Sequence, residues 1–262
     1  MITVADILNH METIAPARMK MDWDNVGLLC GSRSQPVTRI LLALDPFEEV
    51  CHEAREVGAE LILTHHPLIF HPMKAITDDT EPGRCIQFLC RHGISAINAH
   101  TNLDCSPMGV NQHLAQLLGL TDIQVIDPLG TTEDGQPWGL LRMGLVQEQP
   151  LEGFLTTVKA TLGCDGLRYV GQQPVHRVAV GGGACGSDMM DAVKAGCDTF
   201  VTADVKYNQF HDAQTLGINL IDAGHFHTEN PILLPLTESL AAAFPELQII
   251  LSKKSRENMK FY

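Results

Sequence analysis

Two stretches of this chain carry the same donor groups in the same arrangement. His100-Thr101-Asn102-Leu103-Asp104 and His225-Phe226-His227-Thr228-Glu229 each set a carboxylate four residues after a histidine. Each follows an apolar run that opens with Gly-Ile, from Gly93 in one case and from Gly217 in the other. Imidazole nitrogen and carboxylate oxygen are the ordinary protein donors for zinc and related divalent ions, so the repeated pair points to a metal centre built from two half-sites. Four residues is about one helical turn, which lets both side chains project from one face toward one ion. A single such pair is weak evidence, because helix surfaces carry accidental ones; its repetition at equivalent strand ends gives it weight. The plain alternative is two strand-to-helix junctions whose histidines cap backbone groups.

His65-His66-Pro67 adds two imidazoles at a third strand end. Neighbours on an extended chain point to opposite faces, so both reach a single ion only with a local bend, and two ions, one per imidazole, fit better. Asp104 and Glu229 can then help to hold both, since a carboxylate has two oxygens and can bridge cations roughly 3.5 to 4 Å apart. His71 and His227 read as outlying or exposed neighbours. Asn98 and Asp222 fall at matching places in the repeat and read as orienting or capping groups. Gly181 to Gly186 matches Gly-x-Gly-x-x-Gly after a strand, with Asp204 closing the next strand. That opens a dinucleotide-binding alternative; a tight turn or a substrate-phosphate cradle would explain the same glycines.

The elements that must position these residues alternate strand and helix. Arg39 to Leu44 reads as an apolar strand, and Asp45-Pro46 as a helix cap with proline at the first helical position. Phe47, Val50, Ala54 and Val57 recur at helical spacing up to Gly58, and the strand from Glu60 to Thr64 delivers His65 and His66. A helix from Arg84 to His92 stops at Gly93, and the strand Ile94 to Ala99 delivers His100. Later, a strand at Arg177 to Val180, a glycine turn and a helix at Ser187 to Ala195 lead to a strand at Asp198 to Thr202. Asp204 follows in the slot that matches His66, and after a helix over Tyr207 to Leu216 the strand Ile218 to Ile221 delivers His225 and Glu229. Continuous apolar strands of this kind predict an α/β fold with parallel or mixed sheets covered on both faces, and ligands beyond the strand carboxyl ends. Asp127 to Trp138, rich in Gly, Pro, Asp and Thr, is the expected boundary, giving halves 1–127 and 128–262. A strand at Leu140 to Val146, a helix at Leu151 to Leu162 and a last helix opened by Asn230-Pro231 complete the reading.

Composition narrows the function classes. The 262 residues are 45% hydrophobic, enough for a substantial core. With 18 Lys and Arg against 31 Asp and Glu, the net charge of -13 repels phosphate backbones and anionic lipid, which argues against direct nucleic-acid binding. Neither a secretory h-region nor a membrane-length apolar run is evident, so the expected location is the cytoplasm, away from membranes. The eight cysteines show no Cys-x-x-Cys spacing and read as reduced, mostly buried thiols, with Cys105 beside Asp104 the one to watch for reactivity.

With these residues in view, the chain resembles the Nif-three-like family of dinuclear-metal proteins, often labelled type-two homologues of GTP cyclohydrolase I. The resemblance runs nearly end to end. It rests on Trp23-Asp24-Asn25-Val26-Gly27-Leu28, Thr64-His65-His66-Pro67, His100-Thr101-Asn102-Leu103-Asp104, Ala203-Asp204-Val205-Lys206-Tyr207 and Gly224-His225-Phe226-His227-Thr228-Glu229. It implies a three-layer α/β/α fold with mixed sheets and weak internal pseudo-two-fold duplication. It also implies two divalent metal ions per subunit on His65, His66, Asp104, His225 and Glu229, with His100 added to that set, and a toroidal homohexamer. Ala203 stands where the family's usual wording has glycine, which bears only on the local backbone turn. The chain is too short for the extra central domain of some members, so no role of that insert carries over.

The expected function is a metal-dependent hydrolase acting on a small molecule, and the family label points to a guanine nucleotide. Asp204 is the candidate accessory base and Lys206 the candidate anion contact. Zinc, iron, manganese and nickel all suit such donors. The rival reading is a metal-braced oligomeric scaffold without turnover.

Overall fold

Apolar periodicity divides the chain into the strands and helices of a computed structural model that describes residues 1–262. The first stretch runs α1 Val4–Ile14, β1 Gly27–Cys30, β2 Arg39–Ala43, α2 Glu48–Glu56, β3 Leu61–Thr64, α3 Glu81–His92, β4 Ser95–Asn98 and α4 Thr101–Cys105. Next come α5 Val110–Leu117, β5 Thr121–Val125, β6 Gly130–Thr131, β7 Pro137–Trp138, β8 Arg142–Gln149, α6 Leu151–Leu162, β9 Arg168–Val170 and β10 Val175–Val180. The chain ends with α7 Met189–Lys194, β11 Thr199–Thr202, α8 Tyr207–Leu216, β12 Asn219–Asp222, α9 His225–Glu229, α10 Leu233–Ala243 and β13 Gln248–Leu251.

Two compact units result. The first contains Met1–Leu103 and Leu233–Arg256, the second Asp104–Ile232 and Glu257–Tyr262. The expected halves, 1–127 and 128–262, do not coincide with these units. Asp127 to Trp138 instead folds inside the second unit around the β6–β7 hairpin; Asn230-Pro231, expected to open the last helix, lies in a 3-10 turn over Asn230–Ile232, and α10 begins after it at Leu233, in the first unit. Pro235 fits the opening turn of that helix, α10, because an N–H there has no intrahelical partner to lose.

In the first unit the sheet order is β1-β4-β3-β2-β13, with β1 antiparallel at the edge and the other strands parallel. Leu41, Ala43, Ile62 and Ala96 pack against Val50, Cys51 and Ala54 of α2 and Cys85, Ile86 and Leu89 of α3. The alternate residues Ile40, Leu42, Leu61 and Leu63 are buried as well. Burial on both faces explains why these strands are continuous apolar runs rather than alternating ones.

In the second unit the order is β5-β8-β10-β11-β12-β9, with β10, β11 and β12 parallel. Val178, Val180, Val201 and Ile221 face α5 and α6 through Leu114, Ala115, Phe154 and Val158. Ala179, Phe200 and Leu220, aligned across three strands, face Met189, Ala192 and Ala213 of α7 and α8. This unit is therefore helix, mixed sheet, helix in layers. The helix expected from Ser187 starts later, since Cys185–Asp188 forms a 3-10 turn before α7. No helix is long and apolar enough to cross a membrane.

Candidate metal centre

In the first unit, β3 stops at Thr64 and the chain bends. Thr64 Oγ1 donates to the carbonyl of His66 at 2.7 Å, and the His66 amide donates to Leu44 O at 2.9 Å. The bend turns both adjacent imidazoles to one side, with ring centres 5.0 Å apart and each within 5.5 Å of the His100 ring. Ligating atoms of His65, His66 and His100 lie within 4.8 Å of one another, so the three can hold a metal ion. The two rings leave a bend rather than an extended strand, and the bend sets their direction.

Each of these rings is held at Nδ1. His65 Nδ1 lies 2.8 Å from Ala99 O. A carbonyl only accepts, so His65 carries its proton on Nδ1 and presents a lone pair at Nε2. His66 Nδ1 meets Asp45 Oδ1 at 2.6 Å, and His100 Nδ1 meets Asp24 Oδ1 at 2.9 Å. Asp24 also accepts from the amide and hydroxyl of Thr101. Burial alone would raise its carboxyl pKa, but the His100 and Thr101 donors outweigh burial and hold it well below the usual carboxylate range.

The second unit carries its own histidine and carboxylate beyond the ends of β11 and β12. His225 and Glu229 lie one turn apart on α9, with Nε2 and Oε2 separated by 3.0 Å. His225 Nδ1 meets Asp204 Oδ2 at 2.8 Å, with Asp204 in the left-handed backbone region at φ 51°. Asp222 ties the two turns together, accepting from the amides of Val205 and Gly224 at 3.0 and 3.1 Å and pairing with Arg168. Asp104 and Glu229 are buried carboxylates. Lys206 is exposed, and its amide donates to Gln209 Oε1 at 2.7 Å at the start of α8.

Over residues 2–258 the chain matches Duf34/NIF3 (NGG1p interacting factor 3). The chain belongs to the Duf34/NIF3 family. It is 37% identical over 260 residues to the "GTP cyclohydrolase 1 type 2 homolog" of Clostridium perfringens, covering 98% of each chain. To the "GTP cyclohydrolase 1 type 2" of Helicobacter pylori it is 32% identical over 246 residues, 92% of each. Its fold superposes on a Bacillus cereus protein related to NIF3 with a TM-score of 0.91 at 26% identity, covering 100% of this chain and 99% of the other.

Within this NIF3-family fold the glycine loop takes a place that motif reading did not suggest. Gly181 N donates to Val201 O, Gly182 N to Asn111 Oδ1, Gly183 N to Thr228 Oγ1 and Cys185 N to Thr202 Oγ1. Amides already spent in this way cannot cradle a pyrophosphate, and the loop leads into a 3-10 turn instead of an α-helix. Gly183 has φ +64°, and a Cβ there would lie 2.1 Å from Glu229 Oε1 and 3.2 Å from His225 Nε2. Gly183 is glycine because it packs on the histidine-carboxylate pair, whereas a Cβ at Gly181 would meet Leu141 and Cys185 and one at Gly186 would meet Gln209.

Other expectations are redistributed. His227 turns to Leu162 O and lies 4.0 Å from Glu257, and His71 packs on Phe70. Asn98 donates to Asn25 O, so it braces a loop. Cys105 is fully buried, and its carbonyl accepts from Arg142, so proximity to Asp104 does not make its thiol accessible. Sequence reasoning passed over Asp45, read as a helix cap, although α2 begins at Glu48 with no side-chain cap. In sequence Asp24 stands out only as part of the Trp23 to Leu28 motif; 76 residues separate it from His100, and no spacing rule joins them.

Proposed function

We propose that this protein holds two divalent cations with His65, His66, His100, Asp104, His225 and Glu229 and hydrolyses a nucleotide or a related small molecule. One observation carries the reading: His65, His66, His100 and His225 are each engaged at Nδ1 by a carbonyl or a carboxylate. Engagement at Nδ1 fixes the ring and turns Nε2 into the donor, the arrangement used by metal-binding histidines. Nitrogen and carboxylate oxygen suit zinc, iron, manganese or nickel. When bound, a pair of such cations lowers the pKa of a coordinated water and offsets charge that develops during hydrolysis.

The chain's own groups supply the remainder. Asp45, Asp24 and Asp204 orient rings and strengthen them as donors. Asp204 has a half-exposed side chain with Oδ2 on His225, and in this reading its other oxygen accepts a proton from a reacting group. Lys206, exposed two residues later, offers a cation to an anionic substrate group. The name carried by the Clostridium and Helicobacter relatives favours a guanine nucleotide as substrate. We place the activity in the cytoplasm, in a homo-oligomer of the toroidal hexameric kind.

The test is elemental analysis of protein purified without added metal, followed by a turnover panel of guanine nucleotides, cyclic nucleotides and phosphoesters. Two metal equivalents per chain and a turnover that His66→Ala abolishes, with the assembly intact by native mass measurement, are expected. Absent turnover, together with an oligomer that falls apart on chelation, would replace the hydrolase with a metal-braced scaffold.

A further inference from the structure

We propose that Cys30 and Cys90 form a reversible, peroxide-driven disulfide, a modification site in the first unit independent of the metal reading. Cys30 closes the edge strand β1 and Cys90 lies on α3; 60 residues apart in sequence, their Sγ atoms are 3.6 Å apart. A disulfide needs about 2.05 Å, so closure requires an approach of roughly 1.5 Å. Because β1 pairs with β4 alone at the edge of its sheet, one strand end can make that adjustment without disturbing a second ladder.

Access makes the pair selective. Cys90 is exposed, whereas the other seven cysteines are buried. A second thiol pair, Cys51 and Cys85, is hydrogen-bonded within the same core, but at 0% and 1% exposure an oxidant cannot reach it. The order of events follows from burial as well. Burial, reinforced by the neighbouring Cys90 thiol, pushes Cys30 up to about 12, which keeps it protonated at neutral pH. Cys90 is therefore the sulfur that meets the oxidant first and Cys30 the one that resolves it.

The chemistry balances with a hydroperoxide as oxidant. The Cys90 thiolate attacks one peroxide oxygen, the O–O bond breaks, and the departing hydroxide takes up the proton that the thiol released, leaving a sulfenic acid. Cys30 then attacks the Cys90 sulfur; the S–S bond forms, the S–O bond breaks, and the Cys30 proton leaves with the hydroxyl as water. Two thiols and one hydrogen peroxide give one disulfide and two waters. A dithiol reductant reverses the bond by exchange. The link would pin β1 to α3. Beyond the opposite end of β1 lies Asp24, which holds His100.

The experiment exposes the reduced full-length chain to limiting hydrogen peroxide and then alkylates the remaining thiols. Two of the eight thiols should disappear, the intact mass should fall by two hydrogens, and a non-reducing digest should contain a Cys30–Cys90 cross-linked peptide that a dithiol reductant removes. Cys90→Ser, at an exposed position that tolerates the change, should abolish the cross-link, and Cys51→Ser should retain it. A Cys90 that only gains oxygens, a Cys90–Cys90 link between chains, or a cross-link through Cys51 and Cys85 would each overturn the proposal. Wild-type peptide mapping decides the matter even if a variant folds poorly.

Discussion

Asp45 accepts a hydrogen bond from His66 Nδ1 at 2.6 Å, although its position before Pro46 and a helix makes it look like a cap. The bond joins the turn after β2 to the turn after β3, neighbouring parallel strands that end in register at Ala43 and Thr64. A carboxylate placed beyond one strand thus orients a histidine placed beyond the next.

Asp45→Asn keeps an acceptor for Nδ1 but removes the charge that makes the ring a stronger donor. Metal affinity should fall about 10- to 100-fold, with little change in melting temperature because Asp45 is only half-buried. Chelator competition on wild type and variant reads the first quantity and a thermal melt the second. Unchanged affinity would remove Asp45 from the centre.

Gly183→Ala forces a Cβ to within 2.1 Å of Glu229 Oε1 at a residue with φ +64°. Gly119 has a similar φ of +75° with nothing within 4 Å, so Gly119→Ala isolates the backbone strain, of order 1 kcal/mol. Gly183→Ala should cost about 1–3 kcal/mol more in urea unfolding and should also reduce metal content, which Gly119→Ala should leave intact. Equal losses in the two variants would show that the loop does not press on Glu229.

Arg142 is a buried guanidinium whose donors go to the carbonyls of Cys105, Ser106, Gly139 and Leu141 and to Gln112 Oε1. Burial pushes its pKa down to about 10, still leaving it charged at neutral pH. It fastens the segment directly after Asp104. Arg142→Met takes the guanidinium away from Gly139 O, whereas the Cys105, Ser106 and Leu141 carbonyls keep the amides of Gly139, Gly109 and Ile126; a loss of about 1–3 kcal/mol is expected from denaturant titration. A loss below about 1 kcal/mol would mean that the segment holds itself.

Glu60 accepts from the amides of Thr38 and Arg39 and from the Thr38 hydroxyl. Burial raises its pKa, yet these donors outweigh burial and leave it lowered. A carboxyl with a lower pKa in the folded state binds fewer protons there than in the unfolded chain between the two pKa values. Its stabilisation is therefore complete above the unfolded value of about 4.3 and is lost as pH falls through the folded value. Urea titrations from neutral to acid pH should show Glu60→Gln less stable than wild type at pH 7 and the gap closing in acid; a pH-independent gap would contradict the linkage.

Much of the scaffold was legible because it depends on local regularities. The helices Tyr207–Leu216 and Leu151–Leu162 have the limits that the sequence predicts, since apolar spacing and a terminating glycine act within a few residues. The places of His65, His66, His100 and His225 after strands followed from the same logic. Helix starts were less legible: α3 begins at Glu81 behind Thr80 rather than at Arg84, because an exposed first turn carries no apolar signal.

The amino-acid order by itself determined the donor inventory, the strand ends that carry it and the alternation that makes an α/β fold, all of which are encoded over short spans. Tertiary structure decided the rest: the bend that gathers three imidazoles, the carboxylates that hold His66 and His100 from 21 and 76 residues away, and the packing of Gly183 on Glu229. Division of the chain into its units was decided there too, since α10 and β13 return to the first unit. Each of these depends on chain segments meeting in space, and side-chain contact across long sequence separation leaves no periodicity to read.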